Sequence, residues 1–320
     1  MAKVKLAAAA PLRREAAILA LSGGGMRGLF TAAALAEIER KGVDLGSSFS
    51  LLAGTSIGGI LAIGLAAGLK AEVMAAAFAR HGPAIFKTTL LGALKNPKGA
   101  AAALYASEPL HATVEAILGD AAQMRLRDLE KPLLVTAVEF NRGVAKIFAS
   151  KSVAAPEDDL DVCLGDVALA TSAAPTYFPP HRIGDRIYVD GGLIANAPDI
   201  VALDRARFGQ AIPQENIRML SVGTAAYEKR GDETIEAAGR IAWVGRHDLF
   251  SLILDAQADL SRAQAKNFLG ERYYRLDKKP DRPIGLDDAS PGQMKLLTSL
   301  AREAVEAFKT DGSAWRTFFK

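Results

Sequence analysis

Gly54-Thr55-Ser56-Ile57-Gly58 stands between two apolar segments, residues 49–52 and 60–63. A serine framed by glycines between an apolar strand and an apolar helix is typical of a nucleophile elbow, a sharp turn that exposes the serine hydroxyl. The glycines carry no Cβ, so the strand and the helix can pass close together. The stretch therefore predicts a strand–turn–helix unit with Ser56 as a nucleophile at a helix N-terminus, where the helix dipole favours developing negative charge.

A transmembrane helix is the alternative interpretation of the same region. No charged residue occurs between Asp44 and Lys70, which would suit a membrane span with a small-residue packing face. Such a span would also have to contain Gly46, Gly54, Gly58, Gly59, Gly64 and Gly68. A buried strand followed by a buried helix explains both the apolarity and the turn residues, and we favour it.

Composition indicates one large α/β domain. The chain has 320 residues, half of them hydrophobic, and strand-like and helix-like segments alternate without a linker or a repeat. A net charge of +3 is too small for a dedicated nucleic-acid binder, so no DNA or RNA polymer is expected as a partner. The single cysteine, Cys163, cannot form an internal disulfide and fits a reducing cytosol.

The expected organisation has three parts. We expect a flexible leader over residues 1–16, a single domain over residues 17–320, and a helical C-terminal elaboration of that domain over about residues 226–320. Residues 85–98 combine apolar side chains with interspersed lysines. One interpretation is a lid or interfacial patch, and the other is a core helix whose lysines are solvated.

A second glycine-rich motif, Ser22-Gly23-Gly24-Gly25-Met26-Arg27-Gly28, separates the first predicted strand from the next helix. Consecutive glycines let several backbone amides point to one place, which predicts an anion-binding nest for a phosphate or for the oxyanion of acyl transfer. The glycines also satisfy the G-x-G-x-x-G pattern, so a nucleotide-binding protein remains an alternative. That pattern calls for an acidic residue at the end of the second strand, whereas Asp44 precedes that strand.

The third motif is Asp190-Gly191-Gly192, at the end of a predicted strand. An ordinary Asp-Gly turn is one interpretation; next to a serine elbow, Asp190 is also a candidate general base. The order Ser56, Asp190, His247 matches the α/β-hydrolase triad as well. Because His247 lies at a predicted helix start, without the loop signals that usually present a catalytic group, we favour a Ser56–Asp190 dyad and keep the triad as the alternative.

Together the three motifs resemble the pattern of the patatin-like phospholipase family. The family has Gly-Gly-Gly-x-Arg-Gly, Gly-x-Ser-x-Gly and Asp-Gly-Gly/Ala in this order, as residues 23–28, 54–58 and 190–192 do here. Ser22 departs from it, since many members have aspartate at that point. The resemblance covers about residues 17–225 and implies a three-layer α/β fold with a mostly parallel central sheet flanked by helices. Within the family, residues 19–30 together with residues 53–59 look closest to bacterial antiphage phospholipase effectors that cyclic oligonucleotides activate.

The resemblance implies a phospholipase A or lysophospholipase that cleaves acyl esters of membrane glycerophospholipids, with Asp190 accepting the proton of Ser56. It implies no metal and no cofactor. Arg27 either steadies its loop or meets a substrate phosphate. The implied oxyanion loop comprises Gly23, Gly24, Gly25, Met26, Arg27 and Gly28, joined by the amide of Ile57, and the elbow and turn glycines are Gly54, Gly58, Gly191 and Gly192.

The resemblance also implies partners and a location. A cyclic di- or trinucleotide is the expected activator, and a homodimer or higher oligomer is the expected active form. The expected location is the cytoplasm, with peripheral contact with the inner membrane. A lipid-binding pseudoenzyme is a further alternative, against which the intact dyad argues.

Overall fold

The computed structural model describes residues 15–87, 103–153, 156–227 and 249–319. In these ranges eight strands form one sheet. They are β1 (Ala16–Leu21), β2 (Leu51–Gly54), β3 (Leu133–Glu139), β4 (Val144–Ala149), β5 (His181–Ile183), β6 (Arg186–Asp190), β7 (Ile217–Val222) and β8 (Tyr273–Leu276). The strands β8, β7, β1, β2 and β3 are parallel neighbours, while β4, β5 and β6 join antiparallel on the β3 side. The predicted mostly parallel central sheet is confirmed.

Helices cover both faces of this sheet. They are α1 (Gly28–Arg40), α2 (Leu45–Ser48), α3 (Ile57–Ala66), α4 (Ala71–Ile85), α5 (Glu108–Leu118), α6 (Leu164–Ser172), α7 (Gly192–Ala195), α8 (Asp199–Asp204), α9 (Leu249–Leu269), α10 (Pro291–Thr310) and α11 (Gly312–Phe318). A short 3₁₀ turn, Gly25–Arg27, leads into α1.

The central strand β1 shows why the fold has three layers. All six of its residues are buried. Leu19 and Leu21 belong to a core cluster with α1, α3, α4, α5, α6 and α10 on one face, whereas Ile18 and Ala20 belong to a second cluster with α8 and α9 on the other. Successive side chains of a strand point to opposite faces, and a parallel strand buried on both faces is apolar throughout. The predicted three-layer α/β architecture is confirmed.

The C-terminal part of the chain is built into this core. β8 pairs in parallel with β7, from Met219 opposite Tyr273 to Val222 opposite Leu276. The rings of Phe318 and Phe319 lie 6.4 and 5.9 Å from that of Phe49, which precedes β2. The region expected to be a helical elaboration therefore also extends the sheet.

Three local expectations differ from the structure. The sequence His81-Gly82-Pro83 predicts the end of a helix that covers residues 71–80, but α4 continues to Ile85 with Pro83 inside it. A proline so near a helix end removes only one amide, and Ile85 is buried. β1 begins at Ala16, inside the expected leader, of which residues 1–14 lie outside the described ranges. The transmembrane interpretation of residues 44–70 is wrong, because these residues form α2, β2 and α3. Of the helices described, none has the length and hydropathy needed to cross a bilayer.

Candidate active site

The edge of β3 brings two distant motifs together. β2 pairs in parallel with the first half of β3, with Gly54 opposite Val135, and β6 pairs antiparallel with its second half, with Asp190 opposite Ala137. β4 covers the full length of β3 on its other edge. β2 and β6 therefore share one edge and run toward each other, so that their carboxyl ends meet two β3 residues apart. The backbone leaves the sheet at the end of each strand, at Ser56 after β2 and at Asp190 at the end of β6.

Ser56 lies in the strained turn that its motif predicts. Its backbone has φ 54° and ψ −129°, a conformation that side-chain-bearing residues rarely adopt. A Cβ on Gly54 would collide with the carbonyl of Gly58, and a Cβ on Gly58 would collide with that of Leu21. The amide of Ser56 donates to Thr171 Oγ1 at 2.8 Å. Close backbone packing and this hydrogen bond hold the serine in its strained conformation.

Asp190 is a buried carboxylate with two hydrogen-bond partners. One oxygen accepts from the amide of Gly192 at 2.6 Å, and the Ser56 hydroxyl lies near enough to act as a second donor that favours the charged form. Burial raises the pKa of Asp190 to about 7, although both hydrogen bonds favour the charged form. A carboxylate with such a pKa can accept and return a proton near neutral pH.

The glycine loop presents free amides beside Ser56. The amide of Gly23 donates to the Asn196 carbonyl at 2.9 Å, and that of Met26 donates to the Leu286 carbonyl at 2.7 Å. Among the described residues, the amides of Gly24 and Gly25 have no acceptor. Both glycines line the same cavity as Ser56 and Asp190. The loop can thus offer two donors to an oxygen atom bound in that cavity.

The remaining loop residues lie differently. Met26 is fully buried in the core, and Gly28 packs against the side chain of Ile57. Arg27 is buried and lines a second hollow with Ser22 and Thr224, but it does not line the cavity at Ser56. That location favours the structural role for Arg27 over contact with a phosphate at Ser56.

An apolar cavity opens at Ser56. Its wall comes from α3, α4 and α5, with Phe86 and Phe178 where it meets the mouth of the site. The part between these helices is lined by Ile57, Ile60, Phe78, Ile85, Leu110, Thr113 and Ile117. The adjoining part, which also contains Asp190 and is called the mouth below, is lined by Tyr177, Phe250, Leu254 and Leu286. A cavity of this kind suits a hydrocarbon chain whose polar end lies at Ser56.

Two of the alternative interpretations can be compared with these contacts. Asp44, the acidic residue considered for a dinucleotide site, caps α2 by accepting from the Gly46 amide and does not lie at the end of β2. No histidine of the described ranges lines the cavity, and His247 lies outside those ranges. In the same ranges, no group of three or more His, Cys, Asp or Glu side chains could hold a metal ion.

Of the expected lid or interfacial patch over residues 85–98, only residues 85–87 are described. Within that part, Ile85 and Phe86 line the cavity.

Several contributors escaped the sequence analysis. Thr171 binds the Ser56 amide, and Asn196 accepts from Gly23. They lie in residues 170–175 and 196–198, which resemble the family pattern more weakly than the three motifs do, and this weak resemblance is the one sequence signal for them. The walls from α4 and α5 carried no signal, because ordinary apolar helix residues look alike whether they line a cavity or a core.

The chain is similar to a known protein family and to individual members of it. The model of the patatin-like phospholipase family matches residues 19–203. A cGAMP-activated phospholipase of Pseudomonas aeruginosa is 34% identical over 298 residues, covering 92% of this chain and 84% of that protein. A cGAMP-activated phospholipase of Vibrio cholerae is 32% identical over 342 residues, covering 97% of this chain and 96% of that protein. The solved structure of VipD from Legionella pneumophila has a TM-score of 0.45 and 11% identity, covering 92% of this chain and 67% of that one; a likeness this loose supports no conclusion.

Proposed function

The chain belongs to the patatin-like phospholipase family, and we propose that it hydrolyses fatty-acyl esters of membrane glycerophospholipids with a Ser56–Asp190 dyad. One observation carries the proposal. The Ser56 hydroxyl lies next to the buried Asp190 carboxylate, near enough to favour its charged form, and both line an apolar cavity. A nucleophile, a base and an apolar surface for an acyl chain thus meet at one point.

The first chemical step forms an acyl-enzyme. Ser56 Oγ attacks the ester carbonyl carbon while Asp190 accepts the hydroxyl proton. Asp190 must be ionised to do so. Because burial raises its pKa to about 7, the rate rises as the pH increases through that value.

The negative charge that develops on the carbonyl oxygen needs donors that are already in place. The amides of Gly24 and Gly25, together with that of Ile57 at the start of α3, are the donors we assign to this oxyanion hole. The other loop amides, those of Gly23 and Met26, are occupied by backbone carbonyls. Donors with fixed positions stabilise the tetrahedral intermediate without reorganisation.

The second step releases the fatty acid. The first step ends when the ester C–O bond breaks and the lysolipid alcohol leaves with the proton from Asp190. Water then attacks the acyl carbon of the acyl-enzyme. The bond from that carbon to Ser56 Oγ breaks, and the proton that Asp190 takes from water returns to the serine. The apolar cavity holds the acyl chain through both steps, and each buried methylene contributes about 0.8 kcal/mol to binding.

Activation by a cyclic nucleotide is the regulatory part of the proposal. Two relatives whose names describe them as cGAMP-activated match 92% and 97% of this chain, so similarity extends well beyond the motif region. We infer that a cyclic di- or trinucleotide switches on this phospholipase too, through a homodimer or higher oligomer. Its role would then be antiphage defence by degradation of the cell's own membrane.

Fatty-acid release from vesicles of phosphatidylethanolamine and phosphatidylglycerol tests the proposal. The wild-type protein is assayed alone and with a panel of cyclic di- and trinucleotides that includes cGAMP. We expect release with one nucleotide, and a loss of roughly 10³-fold or more in Ser56→Ala and Asp190→Asn, because each removes a member of a unit that acts together. His247→Ala and the exposed control Ser47→Ala keep wild-type rates.

Each other outcome points elsewhere. Full activity in Ser56→Ala would refute the dyad, and a folded but inactive His247→Ala would establish the triad. Release without any nucleotide would indicate constitutive lipid turnover. Tight NAD binding without hydrolysis would favour the nucleotide-binding alternative.

A further inference from the structure

Helix α9 turns one face toward the active site although it lies beyond the residues that the family model matches, 19–203. Phe250 and Leu254 of this face line the mouth of the cavity. Gln257 follows one turn later on the same face, since residues three and four apart are neighbours on a helix. Its side-chain amide makes two hydrogen bonds to the segment after Asp190. Gln257 Oε1 accepts from the amide of Asn196 at 3.1 Å, and Nε2 donates to the carbonyl of Gly192.

The two groups that Gln257 binds are four residues apart. In a continuing α-helix the carbonyl of Gly192 would accept from the amide of Asn196. The Gln257 amide stands between them and satisfies both, which ends α7 at Ala195. The chain is thereby directed so that the Asn196 carbonyl accepts from Gly23.

Both halves of the catalytic site are attached to this short segment. At its start, the Gly192 amide donates to Asp190 at 2.6 Å. At its end, the Asn196 carbonyl holds the Gly23 amide at 2.9 Å, next to the glycines with free amides. One side chain therefore sets the distance between the aspartate turn and the glycine loop.

We propose that Gln257 is a positioning residue of the active site, which holds the Asp190 turn and the glycine loop in register by bridging Gly192 and Asn196. The inference rests on the proposed Ser56–Asp190 dyad. Gln257 acts through backbone groups and touches no reacting atom. It makes a helix from outside the motif region a condition for full activity.

Removal of the bridge leaves other contacts that hold the same segment. Ser261, one turn further along α9, donates to the Ala197 carbonyl at 2.9 Å and accepts from the Ile200 amide at 3.3 Å. We therefore expect variants at Gln257 to fold. Gln264 lies on the exposed side of α9 and has no role in the site, so it provides a matched control.

The test compares Gln257→Met with Gln264→Met in the full chain, by hydrolysis of p-nitrophenyl butyrate in the presence of cGAMP. A displacement of about 1 Å at a reacting group can cost 10²-fold. We expect kcat to fall about 10- to 100-fold in Gln257→Met, with KM within about twofold of wild type. Gln264→Met matches wild type.

The pH profile separates positioning from loss of stability. In the described residues, the partners of Asp190 are the Gly192 amide and the Ser56 hydroxyl, and no other charged side chain lines the cavity. Methionine fills the volume of glutamine, so Asp190 stays buried but its bond to Gly192 weakens. That bond favours the charged form, so the pKa of Asp190 rises and the acid limb of kcat/KM moves to higher pH. A loss of folding stability alone would lower the amount of active protein without moving the acid limb of the kcat/KM profile.

A second variant guards against misfolding. Gln257→Glu keeps the acceptor for Asn196 but cannot donate to Gly192 as a carboxylate, so it also lowers kcat and moves the limb upward. Wild-type kcat and pH profile in both folded variants would refute the inference. Ser56→Ala in the same assay tests the dyad itself: if that variant is active, the proposed function fails, and if it is inactive while Gln257→Met is normal, only the positioning role fails.

Discussion

The two sides of the glycine loop differ in how far their polar groups are paired. On the side of Ser56, the amides of Gly24 and Gly25 have no acceptor among the described residues, and the cavity is mostly apolar. On the opposite side, Arg275 of β8 donates to the hydroxyls of Ser22 and Ser221 at 2.9 and 2.8 Å and pairs with Asp277 at 2.8 Å. We call these the front and the back of the loop.

This difference separates two tasks. The front carries strain and unsatisfied groups: the positive φ of Ser56, the buried carboxylate of Asp190 and the free amides. Such features cost stability and are kept at sites where chemistry needs them. The back supplies paired charges and hydrogen bonds that fix the loop from behind. We therefore expect changes at the front to affect mainly activity, and changes at the back to affect mainly stability.

Among changes that leave the dyad intact, Gly25→Ala should give the largest effect on activity. Gly25 has φ 55°, and a Cβ there would collide with the Leu286 carbonyl, so the loop must shift and move its amides away from the oxyanion. Loss of one oxyanion-hole donor costs roughly 10²–10³ in kcat. Steady-state hydrolysis of a soluble ester measures the loss, and denaturant unfolding measures stability in parallel.

Gly42→Ala is the matched control for that substitution. Gly42 also has positive φ, 88°, but nothing lies near its Cβ position at the end of α1. We expect a loss of about 1 kcal/mol in unfolding free energy and unchanged kcat. If Gly25→Ala kept wild-type kcat, the front would not be the catalytic side.

The residues predicted from sequence are those whose backbone chemistry leaves few choices. A serine at positive φ needs neighbours that lack Cβ, so Ser56 stands out through Gly54 and Gly58. The family, the three-layer fold and the mostly parallel sheet inferred from the motifs are confirmed. Asn141-Arg142-Gly143 is likewise a turn signal between two apolar segments, and it connects β3 and β4, which pair antiparallel.

The residues that could not be predicted act through packing of distant elements. In the sequence, Gln257 resembles any half-buried polar residue of a helix. Its role follows only from the packing of α9 against α7, where it meets Gly192, 65 residues earlier in the chain. Arg275 is likewise an unremarkable strand residue until β8 pairs with β7 and reaches Ser22. No local spacing rule connects such positions, because their partners depend on the order of strands in the sheet.

Arg275→Met probes the back of the loop. The substitution removes the cation that pairs with Asp277 and two hydrogen bonds to hydroxyl groups. Removal of one partner from a fully buried ion pair costs more than removal from an exposed pair, and this pair is partly exposed. The unfolding free energy should therefore fall by on the order of 2 kcal/mol. Guanidinium denaturation measures the change, with the exposed Arg302→Met as control. We expect kcat at low temperature to fall less than in Gly25→Ala. A variant of unchanged stability but strongly reduced kcat would contradict the assignment of the back to stability.

Asp190→Asn should change stability in the opposite direction. Burial raises the pKa of Asp190 from 3.8 to about 7, so the folded state holds this proton more tightly than the unfolded chain. The wild-type protein consequently loses stability as the pH rises from below 4 to above 7, whereas a neutral asparagine does not. At pH 8 the variant should therefore be more stable, by on the order of 1–3 kcal/mol, although it is inactive. Thermal melting at pH 8 and pH 4, beside the exposed control Asp281→Asn, checks this. Equal melting temperatures of wild type and Asp190→Asn at pH 8 would mean that the front carries no electrostatic strain at Asp190.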